Sequence, residues 1–366
     1  MKRHLYTCFA LFIILSTSCN NINNSNQQAT ILKFDLDRAI LVDSALQMGN
    51  FNFTPLEMNK SCIIGRSPRM ICTDSDIFIG DLFTNKCVYR FDKNGRFINK
   101  IGVVGSGPGE YIEILDYNID HRNNIVDLLG INSEIYQYTI EGKFIKKDKY
   151  AIPPAHSFVK DLSNNYWFCI GTNKLYDDKI IYRVNPEKNE VESFMPRKSN
   201  LLPVAERNFS TNGNGIITFR ESLNSSLYLI DKDITPSWII DFGNYNLPKS
   251  LNQENSLDVA KILQQSDYAV IYTYLENKNF AYFFILLFNS GVREPTPYHW
   301  IVSKKNNEQK LYKMSQKISF SSYLMSAQIL NEENELLFIG LQDAIGDLQD
   351  NNYSVASLNL SQLFMK

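Results

Sequence analysis

The sequence predicts an all-β chain folded as a six-bladed β-propeller with a short helical insertion near residues 250–266. Three observations carry that expectation. A hairpin pattern returns at a nearly constant interval, a short apolar strand entered from a polar turn stands upstream of each hairpin, and the composition favours strands and turns. The 366 residues include 23 Phe and 20 Tyr, which suit pleated, half-buried surfaces. A repeat architecture can use a whole chain of this size as one unit.

The first 18 residues read as an export signal: Lys2 and Arg3, an apolar run from Leu5 to Leu15, and small residues before Cys19. The run is too short to span a bilayer. A cysteine placed directly after Ser16, Thr17 and Ser18 resembles a bacterial lipobox, although Ser16 stands where leucine is usual. This makes Cys19 the expected site of lipid attachment. Residues 19–30 are polar and low in complexity, which suits a flexible tether. Residues 31–366 are then a single propeller domain. A ring of blades needs its two ends joined in one blade, because an unpaired edge strand leaves backbone donors and acceptors unsatisfied. The strand expected to close it lies near 51–57, "FNFTPLE".

The hairpins begin at "YRFDKNGRFI" (Tyr89) and return at "YQYTIEGKFI" (Tyr136), "YRVNPEKNEV" (Tyr182) and "YLIDKDITPSW" (Tyr228), at spacings of 47, 46 and 46. Each alternates apolar and polar residues on both sides of a turn rich in Asp, Asn, Gly or Pro. The upstream strands occur six times, near Ile77, Ile125, Tyr166, Ile216, Phe280 and Leu336. Less regular hairpins near "YHWIVSKKNNEQKLY" and "YSVASLNL" complete the last two units. In the insertion, Pro248 and Ser256 are helix-start signals, and Leu257, Ala260, Ile262 and Leu263 gather on one side of a short helix expected to pack on the ring.

From about residue 51 onward the chain resembles the six-bladed β-propeller lipoproteins common in Bacteroidetes, a group related in shape to NHL-repeat propellers. The stretches that carry the resemblance are "FTPLE", "IIGR", "IFIGD", "FDKNGRFINKIG" and "GSGPGEYIEILDYNID"; after residue 200 it rests on spacing and strand pattern. The resemblance implies an exported, lipid-anchored propeller and no particular activity.

The glycine-rich stretch "GVVGSGPGEY", residues 102–111, joins the outer strand of one unit to the inner strand of the next. A phosphate loop would need lysine and a hydroxyl residue after Gly107, where Pro108 and Gly109 stand; a dinucleotide fingerprint would need Gly or Ala at Glu110 and a helix afterwards. Gly105, Gly107, Pro108 and Gly109 are therefore read as a structural turn. Since such crossings converge on one mouth of a propeller, the ligand-binding candidates are Glu110, Tyr111, His156, Glu206 and Arg207, with Arg66 and Arg293 as weaker members.

The 37 basic and 39 acidic residues give a net charge of −2 with no basic block, which excludes the electrostatic footprint of a nucleic-acid binder. Removal of the signal leaves 35 basic against 39 acidic residues. Cys62, Cys72, Cys87 and Cys169 show no zinc spacing and read as buried small hydrophobes, while a Cys62–Cys72 bridge stays open because spacing cannot place two Cα atoms within reach. His4, His121, His156 and His299 contain no metal-binding pair, and no GxSxG is present. Asp81, Asp116, Asn118 and Glu110 could be tried as calcium ligands, with no spacing argument in their favour over turn roles. No metal and no cofactor is expected, and no catalytic residue can be named. The expected function is a non-catalytic binding or scaffold module for an envelope protein, a peptide or a glycan, touching the membrane only through its lipid and facing the periplasm. The alternative is a hydrolase or lyase with its site in the central channel.

Overall fold

A computed structural model describes residues 29–365, apart from 44, 171–177, 198–206, 212–214, 250, 252–255, 293, 316–325 and 342–352. The signal segment, Cys19, most of the tether, Glu206 and Arg293 lie outside the described residues.

Three short strands come first: β1 (Thr30–Lys33), β2 (Ile40–Val42) and β3 (Phe51–Pro55). Six sheets follow in chain order. The first blade is β4 (Arg69–Cys72), β5 (Asp76–Asp81), β6 (Cys87–Asp92) and β7 (Phe97–Ile101). The second is β8 (Ile114–Asp120), β9 (Ile125–Gly130), β10 (Glu134–Thr139) and β11 (Phe144–Lys149). The third is β12 (Ala155–Lys160), β13 (Tyr166–Ile170), β14 (Lys179–Asn185) and β15 (Glu190–Pro196). The fourth is β16 (Phe209–Thr211), β17 (Ile217–Arg220), β18 (Ser226–Ile230) and β19 (Ile234–Asp241). After helix α1 (Ser256–Gln265), the fifth is β20 (Tyr268–Glu276), β21 (Phe280–Phe288), β22 (Thr296–Ser303) and β23 (Gln309–Met314). The sixth holds β24 (Ile329–Leu330), β25 (Glu335–Leu341) and β26 (Tyr353–Asn359), and its outermost strand is β3. Each blade is an antiparallel meander, and the chain is a six-bladed propeller. The four hairpins recognised in the sequence are the third and fourth strands of the first four blades, and the six upstream strands are the second strands.

The core is divided among the seams between blades. Along β21, Ala281, Phe283, Ile285 and Leu287 pack toward the fourth blade with Trp238 and Trp300, while Phe280, Tyr282, Phe284 and Leu286 pack toward the sixth with Leu336 and Phe338. Side chains two apart share a face of a strand, so a blade buried on both faces reads as a continuous apolar run, "FAYFFILLF". The other seams follow the same rule, for instance Phe78 and Val88 against Tyr117 and Leu128 between the first and second blades. Helix α1 contributes Val259 and Leu263 to the cluster between the fifth and sixth blades, so one stripe of this insertion is packed on the ring.

β3 pairs antiparallel with β26, from Phe51 opposite Leu358 to Pro55 opposite Ser354, so the two ends of the chain share the sixth blade. Upstream of it, β1 lies parallel to β19 and β2 parallel to β23, adding a fifth strand to the fourth and fifth blades. This strap has no counterpart in the sequence reading. The third-to-fourth turn of the first blade leans on the closing strand: Gly95 has φ +79°, and a Cβ there would lie 1.9 Å from the carbonyl oxygen of Pro55. That oxygen is backbone and cannot swing away. Gly95→Ala is expected to destabilise the protein by roughly 2–4 kcal/mol in chemical denaturation, through the positive φ and the displacement of β3.

The four cysteines of the body, Cys62, Cys72, Cys87 and Cys169, are free thiols. Burial pushes Cys62 and Cys72 up to about 12 and Cys87 to about 11, so all three stay protonated at neutral pH.

Candidate functional site

The first strands of five blades, with the turns that follow them, line a cavity of about 720 Å3 on the ring axis. Its wall runs from Arg69 and Arg207, at the starts of first strands, past Phe158 to Asp74, His121, Arg122, Leu162 and Glu332 on the first-to-second turns. Arg207, just before β16, donates to the carbonyl of Gln328 and, at 3.1 Å, to that of Met70. The fourth blade faces the first across a six-membered ring, so this guanidinium spans the axis where the outer-to-inner crossings arrive. Gln328 adds to the barrier by donating to Pro68 O at 2.8 Å and accepting from Met70 N at 2.6 Å. Arg69 pairs with Asp116 of the second blade, whose other oxygen accepts from Phe158 N of the third at 2.9 Å. Polar groups thus bridge neighbouring blades at this end, and the first-to-second turns frame the other.

Those turns are made by their own side chains. Asp161 Oδ1 accepts from the amides of Ser163 and Asn165 at 2.9 and 2.8 Å, and its Oδ2 from Trp167 Nε1 at 2.9 Å. Asn331 Oδ1 accepts from Glu335 N at 2.8 Å, and Asp120 Oδ1 from Asn123 N at 3.2 Å. Asn124, Asn164 and Asn334 occupy the left-handed region, φ 54°, 63° and 64°, which asparagine tolerates better than most residues. The polar tetrads "HRNN", "LSNN" and "NEEN" are therefore first of all turn chemistry, and the mouth is built from what remains exposed on them.

Two buried carboxylates of the second blade behave differently. Burial raises the Asp120 carboxyl, but hydrogen bonds from Lys160 Nζ at 2.8 Å and from Asn123 outweigh it and hold the group below its usual range. Asp127 is fully buried, and burial pushes it up to about 6 against the opposing effects of Lys160, Gln137 and Tyr166. Gln137 Nε2 links Asp127 Oδ1 at 2.6 Å to the Tyr166 hydroxyl at 3.0 Å. Cys72 lines the cavity as an unionised thiol. Among the described residues, no group of three or more His, Cys, Asp or Glu side chains is placed to hold a metal ion. Of the residues tried as calcium ligands, Asp81 instead caps a turn, accepting from Gly65 N at 2.9 Å, Thr84 N at 3.0 Å and Asn85 Nδ2 at 2.6 Å. Asn118 lines the cavity.

The crossing residues are not brought together. Glu110 folds back on its own loop, Oε2 accepting from Gly107 N at 2.8 Å, and a Cβ at Gly105 would lie 2.0 Å from that oxygen. Gly105 N donates to Tyr111 O at 2.9 Å, Tyr111 N to Val103 O at 3.1 Å and Glu110 N to Gly107 O at 3.0 Å. The glycine loop thus cradles its own carboxylate. Gly109, at φ +79°, lies against the ring of Phe144. Tyr111 is in the core between the first and second blades, 2 % exposed, with its hydroxyl donating to Lys86 O at 2.6 Å, so it offers no ligand surface. His156 is the second residue of β12, half-buried, its pKa lowered by burial and then by Arg69. Arg66 is exposed on the segment before β4. Of the five candidates, Arg207 lines the cavity. Sequence reasoning looked for the mouth at the crossings and treated the first-to-second turns as punctuation. Lys160, Arg122, Asp74, Glu332 and Glu333 were missed for that reason. The polar turns before each second strand were the available signal.

Residues 33–364 match the family model described as "Domain of unknown function (DUF4934)". The chain belongs to the DUF4934 family. The DUF4934 chain is similar in structure to a protein from Bacteroides fragilis described as exported, with a TM-score of 0.70 and 16% identity over 90% of this chain and 99% of that one. It is also similar to a member of the duf4221 family from Bacteroides vulgatus, with a TM-score of 0.58 and 12% identity over 84% of this chain and 96% of that one. Likeness at such identity speaks for the shared fold. No curated protein matches the chain. No helix among the described residues is long and apolar enough to cross a membrane.

Proposed function

We propose that this DUF4934 propeller is an exported, lipid-anchored and non-catalytic binding module, which receives a partner of the cell envelope through the mouth framed by its first-to-second turns. The carrying observation is the cavity of about 720 Å3 on the axis, spanned at its crossing end by Arg207 and lined in part by side chains engaged in structural bonds, Lys160 and Asp120 among them. Asp120 and Lys160 neutralise each other, Asp161 is consumed by its turn, and the Cys72 thiol is protonated, so these groups suit a recognition surface better than an activated nucleophile. Anchoring through Cys19 follows from the leader and predicts that a palmitate analogue labels the chain in cells and fails to label Cys19→Ser.

Ser210 lines the channel from the fourth blade. The chain from residue 29 is expected to capture a defined set of envelope components, and Ser210→Trp, which fills the channel, is expected to lose that set with its melting temperature within a few degrees of the wild type. An unchanged captured set in the blocked variant would refute the channel as the receptor.

A further inference from the structure

The cavity does not stay on the axis. It continues outward between the sixth and first blades, where Leu337, Val355, Ser357 and Thr54 line it from one side and Cys72 and Ile77 from the other. Strand register explains how one face of the sixth blade can form such a wall: Ile329 pairs with Leu337, Leu337 with Ser357 and Val355 with Thr54, so these side chains project from the same face. Leu337 and Val355 belong to the core cluster that also contains Ile77 and Met70 of the first blade, so this is the face turned toward that blade. The seam opens because β24 has only two residues and cannot cover it at the axis. At its outer end the third-to-fourth turn of the first blade, with Lys93, leans on β3.

We propose that this seam is a groove for an extended peptide segment carrying a positive charge, a reading that rests on the binding function above and names its ligand class. Aliphatic walls with two hydroxyl groups, Thr54 and Ser357, suit alternating small and apolar side chains of an extended chain. The phenyl rings that line the cavity, Phe158 and Phe209, stand on the third and fourth blades, so among the described residues the seam has no platform on which a sugar ring could stack. Charge sets the polarity. Asp74, Glu332 and Glu333 lie at the axial end of the seam and take part in none of the ion pairs of the described residues. Oε1 of Glu332 is covered and accepts no hydrogen bond among the described residues, leaving an acceptor that the fold does not use. Lys93 repels a cation at the outer end, so the charged side chain of the ligand sits by the three carboxylates.

The probes are three labelled nonapeptides of alternating valine and serine with lysine, glutamine or glutamate at the centre, measured by fluorescence anisotropy with the chain from residue 29, which contains all six blades. The lysine peptide is expected to bind at least tenfold more tightly than the glutamine peptide, with the advantage lost in 0.5 M salt, and the glutamate peptide to bind most weakly. Glu332→Gln combined with Glu333→Gln is expected to erase the advantage while leaving the glutamine peptide unchanged. Ser357→Trp is expected to abolish binding of all three, with folding checked by the melting temperature. Equal affinity for the three peptides, no binding of any at millimolar concentration, or binding indifferent to Ser357→Trp would each overturn the proposal. If Ser210→Trp stops capture of envelope components while Ser357→Trp leaves it intact, the channel reading stands and the seam falls.

Discussion

A chain beginning at residue 59 is expected to lose its cooperative melt, whereas one beginning at residue 50 keeps a closed ring and a cooperative melt at a markedly lower midpoint. The two truncations separate the strap from the closing strand. Both remove the strap, which leaves Ile31, Ile40 and Leu41 exposed but buries Leu32, Phe34 and Val42 against the fourth and fifth blades, so the longer chain is destabilised as well. Only the shorter chain removes β3, with Phe51, which packs against Phe338 at 5.7 Å between ring centroids, and Leu56, 1 % exposed. Its loss exposes β26 as an open edge and leaves the sixth blade three strands wide. Two apolar side chains and a five-residue ladder amount to roughly 5 kcal/mol or more. That is comparable to the whole net stability of a typical domain. The unpaired edge also promotes association of chains. Calorimetry and size-exclusion chromatography of the two truncations measure both consequences, and a chain from residue 59 that melted like the chain from residue 50 would contradict the closure.

Acid is expected to weaken the seam between the fifth and sixth blades through one histidine. His299 is fully buried beside the rings of Phe284 and Phe338 and meets the Tyr282 hydroxyl through Nδ1 at 2.9 Å, while its Nε2 has no hydrogen-bond partner among the described residues. Burial lowers its pKa from 6.5 to about 3. The unfolded chain therefore takes up a proton that the folded chain refuses. The stabilising contribution is complete above pH 6.5 and is lost as pH falls toward 3, up to about 4–5 kcal/mol. Asp127 acts in the opposite sense. Its folded value of about 6 lies above the unfolded 3.8, so its contribution is present at low pH and is lost as pH rises from 3.8 through 6. The two offset each other in part between pH 6 and 4. His299→Gln, which cannot take up the proton, is expected to flatten the loss of stability between pH 6.5 and 4, and Asp127→Asn to steepen it. Urea denaturation at a series of pH values reads both slopes, and identical slopes in the wild type and His299→Gln would contradict the assignment to His299.

The ring was legible because its cause is local. Each blade must alternate side chains between two neighbours and reverse direction in turns that are mostly three to five residues long, so period-two apolar runs and Asn, Asp and Gly punctuation recur at the interval of one blade. Ala281 to Leu287 show the rule in its purest form, since both faces of β21 are buried. The site was legible only in part. Arg207 stood among the candidates as a loop residue near a mouth, but its partners are carbonyls of Met70 and Gln328, more than a hundred positions away in either direction along the chain. Glu110 and Tyr111 were candidates because they stand at a crossing, and the glycine turn there folds the carboxylate back on its own loop and leaves the tyrosine ring in the core. The strap escaped notice because β1 and β2 have four and three residues, too few for a periodic signal.

By itself the sequence determined the class of fold, the number of blades, the glycine turn and the expectation of export, all of which depend on neighbours within one repeat or on the order of residues near the start of the chain. The tertiary structure alone decided which face of the ring holds the cavity, which side chains span it, and that a seam opens beside β24. Those features arise where blades distant in sequence meet, and contacts of that kind leave no periodic trace in the order of the amino acids.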